Sequence, residues 1–234
     1  MNKQDVEKKF YELISPREGI CGVASYDEVL HGLLPVQQKN LLAAGVGKSV
    51  MVVGVFHSPW VIEKINIRTH GKIDRTAWNI YAREYHTLNA LLNETVNVLA
   101  EYTGGYPIPA TRENTTQHIN RVEDFYNLCI SHRVAAELAG LGWRGKNELI
   151  VTEKQGCAVR FASVICPDEF LPDEKMENRC GECTACIRVC PYLRKKTKLK
   201  NYREQCRRFI ISLGLEGDVC GKCVKACYEH WISQ

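Results

Sequence analysis

Eight of the chain's twelve cysteines fall within its last 55 residues, and their spacing constrains the fold more than any other feature. Four stand as Cys180-x2-Cys183-x2-Cys186-x3-Cys190, followed by Pro191. Runs of this kind hold cubane iron–sulfur clusters: three thiolates serve one cluster and the fourth serves another. A second run reads Cys220-x2-Cys223-x3-Cys227. In the register of the first run its opening cysteine would stand at position 217, which is Gly217. Cys206 is the only other cysteine downstream of the first run. It closes the count at eight thiolates, enough for two 4Fe-4S clusters. In the crossed arrangement Cys180, Cys183, Cys186 and Cys227 hold one cluster. Cys190, Cys206, Cys220 and Cys223 hold the other. A tail of this design moves electrons one at a time.

Two other uses of the cysteines fit the sequence less well. Structural zinc prefers two separated Cys-x2-Cys pairs in a closed tetrahedral site. Four cysteines within eleven residues, followed by proline, fit that pattern poorly. A disulfide framework belongs to secreted chains. Here residues 1–14 are charged and lack the apolar stretch of a secretory signal. No apolar stretch reaches the roughly 18 residues that a membrane-spanning helix needs. The expectation is a cytoplasmic protein with reduced thiols and no membrane association. Cys21, Cys129, Cys157 and Cys166 are scattered in apolar contexts and read as packing thiols.

The cysteine module needs only the tail, and 234 residues leave a body large enough for its own core. The expected division is 1–175 for the body and 176–234 for a ferredoxin-like two-cluster module. The net charge of +4 is unevenly spread. Residues 194–208 carry eight Lys and Arg against Glu204 alone, a net +7, so the remainder carries −3. Such a segment serves either as a solvated helix face that offsets anionic clusters, or as a dock for an acidic partner or a phosphate backbone.

Periodicity predicts a first helix over 3–14, a short strand at 19–24, and a short helix opened by Ser25-x-x-Glu28. The unbroken apolar run 49–56 predicts a central strand covered on both faces. A long helix follows over about 75–102, ended by Gly104-Gly105. A second helix is predicted over about 117–139, ended by Gly140. Residues 148–152 and 158–166 read as a hairpin turned at 154–156. This mixture of helices and strands predicts an α/β or α+β layer with a metal-binding tail.

Three segments in the body attract functional readings. Tyr81-Ala-Arg-Glu-Tyr-His86 lies inside the long helix, and His86 is either a satisfied, partly buried histidine or an acid or ligand. The loop Gly140-Leu141-Gly142-Trp143-Arg144-Gly145-Lys146-Asn147 is either a helix stop or a ligand loop. Its glycines permit close approach, and Arg144 and Lys146 favour an anionic or amide-bearing ligand. It is not a dinucleotide fingerprint, because no predicted strand precedes it and the G-x-G-x-x-G spacing is absent. Tyr126 reads as core or as a phenolic proton donor.

Taken together these segments resemble the epoxyqueuosine reductase family. The resemblance rests on Ala139-Gly-Leu-Gly-Trp-Arg-Gly-Lys-Asn147, on the helix motif ending at His86, and on the two crossed cysteine runs with Cys206 between them. It covers roughly 20–230. It implies a nitroreductase-like α+β core, shared with the reductive dehalogenases, carrying a ferredoxin-like tail with two 4Fe-4S clusters. It also implies a corrinoid (cobalamin) bound base-off between core and tail. Loop residues 140–147 and Arg83 would then bind the cofactor, with His86 and Tyr126 catalytic. Electrons from an external low-potential donor would enter at the outer cluster and pass through the Cys180, Cys183, Cys186 and Cys227 cluster to the corrinoid and then a substrate.

The departures are specific. The family's acidic proton donor falls at Tyr126, as in the dehalogenase branch. The family's tRNA enzymes carry a C-terminal helical-repeat extension, whereas this sequence stops at Gln234. A tRNA partner is therefore the less favoured expectation. The alternative is a two-cluster electron-transfer or corrinoid-reducing activator protein without a substrate of its own.

Overall fold

The computed structural model describes residues 2–67, 73–111 and 119–233. Helix α1 (Lys3–Ile14) leads into strand β1 (Gly19–Ser25), helices α2 (Tyr26–Gly32) and α3 (Pro35–Ala44), and strand β2 (Ser49–Phe56). After the short α4 (Pro59–Ile62) comes the long α5 (Arg75–Thr103), then β3 (Tyr106–Ile108), α6 (Val122–Tyr126) and α7 (His132–Leu138). Short strands β4 (Trp143–Arg144) and β5 (Ile150–Val151) precede β6 (Val159–Cys166). The tail holds α8 (Ala185–Val189), α9 (Pro191–Arg194), α10 (Tyr202–Leu213) and α11 (Lys222–Ile232).

The main sheet runs β1-β2-β6-β3, with every neighbouring pair antiparallel. Strand β2 is buried along its whole length, which explains its unbroken apolar sequence. Met51, Val53 and Val55 join α1 and α5 in one core layer, with Phe10, Leu88, Leu92 and Val96. Val50, Val52 and Phe56 face the other layer, with Tyr26, Val29 and Ala136 of α2 and α7. The fold is thus a sheet between two helical layers, of mixed α/β composition.

The long helix matches its prediction and is closed at both ends by its own sequence. The Asp74 side chain accepts from the Ala77 N–H at 3.0 Å, satisfying one unpaired donor of the first turn. Gly104 takes the left-handed conformation (φ +67°) that stops the helix cheaply. Two other predictions need correction. The helix expected over 117–139 is two pieces, α6 and α7; its first residues, 117 and 118, lie outside the described residues. Between them, the Asn40 side chain donates to the carbonyls of Asn127 and Cys129, both at 3.2 Å. A donor from α3 thus satisfies carbonyls that a continuous helix would have used. The expected hairpin of 148–152 with 158–166 is also replaced. β5 pairs with β4, and β6 pairs with β2 and β3. Only a Thr152–Gly156 bridge remains at the predicted turn.

A third apolar cluster joins the two halves of the chain. Ile62, Ile65, Trp78, Tyr81, Trp143 and Val151 pack with Leu213, Val219, Val224 and Tyr228. Trp78 and Trp143 are fully buried there. An indole of about 200 Å² at about 25 cal/mol per Å² contributes roughly 5 kcal/mol of burial. The tail therefore shares a core with the body.

Candidate functional site: two thiol quartets seated on the body

The tail places Cys180 and Cys183 in the segment before α8, Cys186 on α8, Cys190 just before α9, Cys206 within α10, Cys220 before α11 and Cys223 and Cys227 on it. Their thiols influence one another in two sets. Burial pushes the Cys186 thiol up to about 11, and Cys227, Cys183 and Cys180 add to the effect. Burial, then Cys220 and Cys190, push Cys206 up to about 12. Cys223 is held well above the ordinary thiol value by burial, then by Cys220, Cys206, Cys190 and Cys186. The first set is thus Cys180, Cys183, Cys186 and Cys227, and the second is Cys190, Cys206, Cys220 and Cys223. The influence of Cys186 on Cys223 shows that the sets adjoin. Buried thiols this close cannot ionise together without a compensating cation. A cluster's iron supplies such compensation, so the donor chemistry fits two cubanes. Among the described residues, no three His, Cys, Asp or Glu side chains gather as a site for a single metal ion.

The first set borders a cavity of about 220 Å³ lined by Cys180, Cys183, Cys227, Trp143, Trp231 and His230. The second set faces inward. The Trp78 indole N–H donates to the Cys220 carbonyl at 2.8 Å. Gly221 lies against Tyr81, where an added Cβ would come 2.7 Å from the ring. Lys222 is buried, with its ammonium over the Trp78 and Phe209 rings at 5.7 and 5.3 Å.

The glycine loop is where body and tail meet. Gly140 and Gly142 take positive φ, and a Cβ at Gly142 would strike the Val151 carbonyl at 2.2 Å. Leu141 and Trp143 are buried in the core. The Trp143 indole N–H points at the Cys180 Sγ, 3.4 Å away. Lys146 donates to the carbonyls of Gly181 and Cys183, at 2.6 and 3.0 Å. The Asn178 side chain donates to the Arg144 carbonyl and accepts from the Cys180 N–H. Buried Asn147 donates to the Cys157 Sγ at 3.2 Å. Gly145 packs against Val151 and Asn147. The loop's polar groups therefore act mostly on the cysteine segment.

The two candidate catalytic side chains are not together. His86 Nε2 lies 3.0 Å from the Glu216 carbonyl, beyond the C-terminal end of α10. The exposed Arg83 grips the Glu216 carboxylate with two hydrogen bonds of 2.6 Å. The Tyr126 hydroxyl accepts from Arg203 at 3.3 Å, at the N-terminal end of α10. Twelve residues of helix separate these ends by about 18 Å. Arg203 also pairs with Glu148, as does Lys196, so Tyr126 sits at the edge of a charged group. Glu148 adopts a left-handed backbone (φ +66°) there. The basic segment divides. Lys196 and Arg203 serve Glu148, and Arg207 and Arg208 serve the buried Glu204. Arg194, Lys195, Lys198 and Lys200 remain exposed.

Sequence reasoning missed one buried polar group. Glu84, inside the quoted Tyr81–His86 motif, accepts from His57 Nδ1 at 2.9 Å, from the Ser58 hydroxyl at 2.5 Å and from Arg17 at 3.1 Å. Burial opposes its ionisation, but the hydrogen bonds from His57, Ser58 and Arg17 outweigh it and bring the carboxyl to about 2. Burial lowers His57, whose ring lies tilted against Tyr81 at 5.0 Å. Tyr85 beside it lies under the Arg160 guanidinium at 3.8 Å. The signal was present: an acid in an aromatic motif and a histidine ending the central strand.

A sheet core joined to a tail with two thiol quartets defines a class of α/β proteins with a C-terminal cysteine module. No family model matches the chain. The epoxyqueuosine reductase of Bacillus anthracis is 44% identical over 62 residues, covering 26% of this chain and 16% of that protein. The Listeria monocytogenes epoxyqueuosine reductase is 31% identical over 121 residues, 52% of this chain and 28% of that one. The solved Streptococcus thermophilus epoxyqueuosine reductase superposes with a TM-score of 0.51 at 15% identity, over 96% of this chain and 65% of that one. The chain is similar to epoxyqueuosine reductases, and its matches span less than half the length of these curated relatives. No helix among the described residues is long and apolar enough to cross a membrane.

Proposed function

We propose that the chain is an oxidoreductase of the epoxyqueuosine reductase type that carries two 4Fe-4S clusters. The carrying observation is the sorting of eight tail thiols into the two quartets that a crossed two-cluster module requires. When bound, the clusters supply one-electron transfer over potentials that their burial and hydrogen bonding set. The Cys180, Cys183, Cys186 and Cys227 set borders a surface cavity and suits electron entry. The other set adjoins Tyr81 and, through Arg203, Tyr126, and suits delivery. This order is the reverse of the one first expected. Tyr126 is the proton donor of this reading, and the 140–147 loop is the seat of the entry cluster. The resemblance makes a corrinoid the acceptor to test first. Its expected binding loop is engaged with the cysteine segment, so this reading ends at the clusters.

A second reading is favoured by the exposed Arg194, Lys195, Lys198 and Lys200. There the chain passes electrons to an acidic protein partner, and transfer weakens steeply with salt.

The deciding experiment is EPR and iron analysis of anaerobically reconstituted protein, titrated with cobalamin under reducing conditions. Two cluster signals with a stoichiometric base-off Co(II) signal make it a corrinoid reductase. Cluster signals without bound cobalt favour the electron carrier. No cluster signals overturn the proposal.

A further inference from the structure

Trp143, in the glycine loop, is only 1% exposed. Its bland reading is a core indole, packed on Trp231 with 5.1 Å between ring centroids. The direction of its N–H asks for more. A buried indole N–H can only donate, and it usually finds a partner. Trp78 gives its N–H to the Cys220 carbonyl at 2.8 Å, and Trp231 gives its own to the Glu153 carbonyl. Trp143 instead gives its N–H to a sulfur, the Cys180 Sγ at 3.4 Å.

The contact is held from both sides. Trp143 is fixed in β4, where it lies opposite Val151 of β5. Lys146 of the same loop donates to the Gly181 and Cys183 carbonyls, at 2.6 and 3.0 Å. Asn178 donates to the Arg144 carbonyl at 2.8 Å and accepts from the Cys180 N–H at 2.9 Å. These bonds tie the loop to the cysteine segment without using the indole, and they bring the sulfur to its N–H. The same indole lines the cavity bordered by Cys180, Cys183 and Cys227.

We propose that Trp143 is a positioning residue for the entry cluster: its indole N–H donates to the Cys180 sulfur and so raises that cluster's reduction potential. The inference rests on the two-cluster reading above. As a cluster ligand Cys180 would be a thiolate, and a charged acceptor strengthens the bond. Hydrogen bonds to ligand sulfurs stabilise the more negative, reduced state. Reduction takes one electron from the external donor, breaks no bond, and leaves the proton on the indole nitrogen. Cys180 belongs to the first quartet, so the effect falls on one cluster and not on both.

The test is a redox titration with dithionite, followed by EPR, on reconstituted full chain carrying Trp143→Phe or benzothienylalanine at position 143. Phe removes the N–H and keeps a ring. Benzothienylalanine keeps the whole ring shape and puts sulfur where the N–H stands. Both should make reduction of the entry cluster about tenfold harder, a downward shift of about 59 mV for one electron. The other cluster should not move. In wild-type protein with heavy nitrogen in its indoles, pulsed EPR of the reduced entry cluster should show an indole-nitrogen coupling. Trp143→Phe should abolish it, although Trp78 and Trp231 remain labelled. Unshifted potentials in both variants overturn the role of Trp143. So does an equal shift of both clusters, or a shift with Phe that benzothienylalanine does not reproduce, which marks packing alone. If neither variant folds, the wild-type spectrum decides, and absence of the nitrogen coupling overturns the proposal. Wild-type protein that binds no cluster sinks the two-cluster reading instead, which iron content reports separately.

Discussion

Replacing Glu84 by Gln tests whether the buried carboxylate organises the wall beside the second quartet. In the folded chain its pKa falls from the ordinary 4.5 to about 2. At roughly 1.4 kcal/mol per tenfold, that difference is worth about 3 kcal/mol of stability at neutral pH. The group is 8% exposed, so solvent screens little of this. The sign follows from the depressed pKa. The contribution is fully present above the unfolded-state value near 4.5 and is lost as pH falls toward about 2. Glu84→Gln keeps the shape but removes the negative charge that accepts from Arg17, Ser58 and His57. For a chain of this size about 3 kcal/mol lowers Tm by roughly 6–12 °C. The assay is thermal unfolding of wild type and variant from pH 7 to pH 2.5. The gap should be largest at pH 7 and close progressively below pH 4.5. A gap that stays constant with pH, or that is under about 1 kcal/mol at pH 7, refutes the reasoning.

Cys206→Ala should halve the iron content, from about eight to about four per chain, and erase one EPR signal; retention of both signals refutes the second quartet. Tyr126→Phe should leave both clusters intact and slow substrate reduction by about 100-fold or more, while unchanged turnover excludes the hydroxyl as proton donor. Lys222→Met removes the ammonium that lies over Trp78 and Phe209 beside Cys220. It should lower the potential of the second cluster by about 60 mV, and an unmoved potential would show that this charge is not felt there.

What the sequence made legible was local. The cysteine runs state their spacing directly, and the α5 face and its Gly104 stop lie within one element. The unbroken apolar β2 needed only its own residues to announce burial on two faces. What failed was brought together from afar. The β6 strand pairs across more than 100 residues with β2, so the adjacent β5 was a natural but wrong partner. The break between α6 and α7 depends on Asn40, some 87 residues upstream. The Glu84 group draws on positions 17, 57 and 58, none of which signals the others. The loop 140–147 reads as a ligand grip because its glycines and cations are visible, whereas the cysteine segment that occupies them is not.

Helix α11 carries one sulfur of each quartet, Cys223 and Cys227, four residues apart. In the two-cluster reading, one turn of helix, about 6 Å of rise, would tie the two redox sites together. Their separation is consequently fixed by covalent geometry and not by any docking event. Solvent viscosity should leave the internal hop unchanged, and only driving force should alter its speed. On the two-cluster reading, a gate would therefore act at arrival or departure of the electron, never in between.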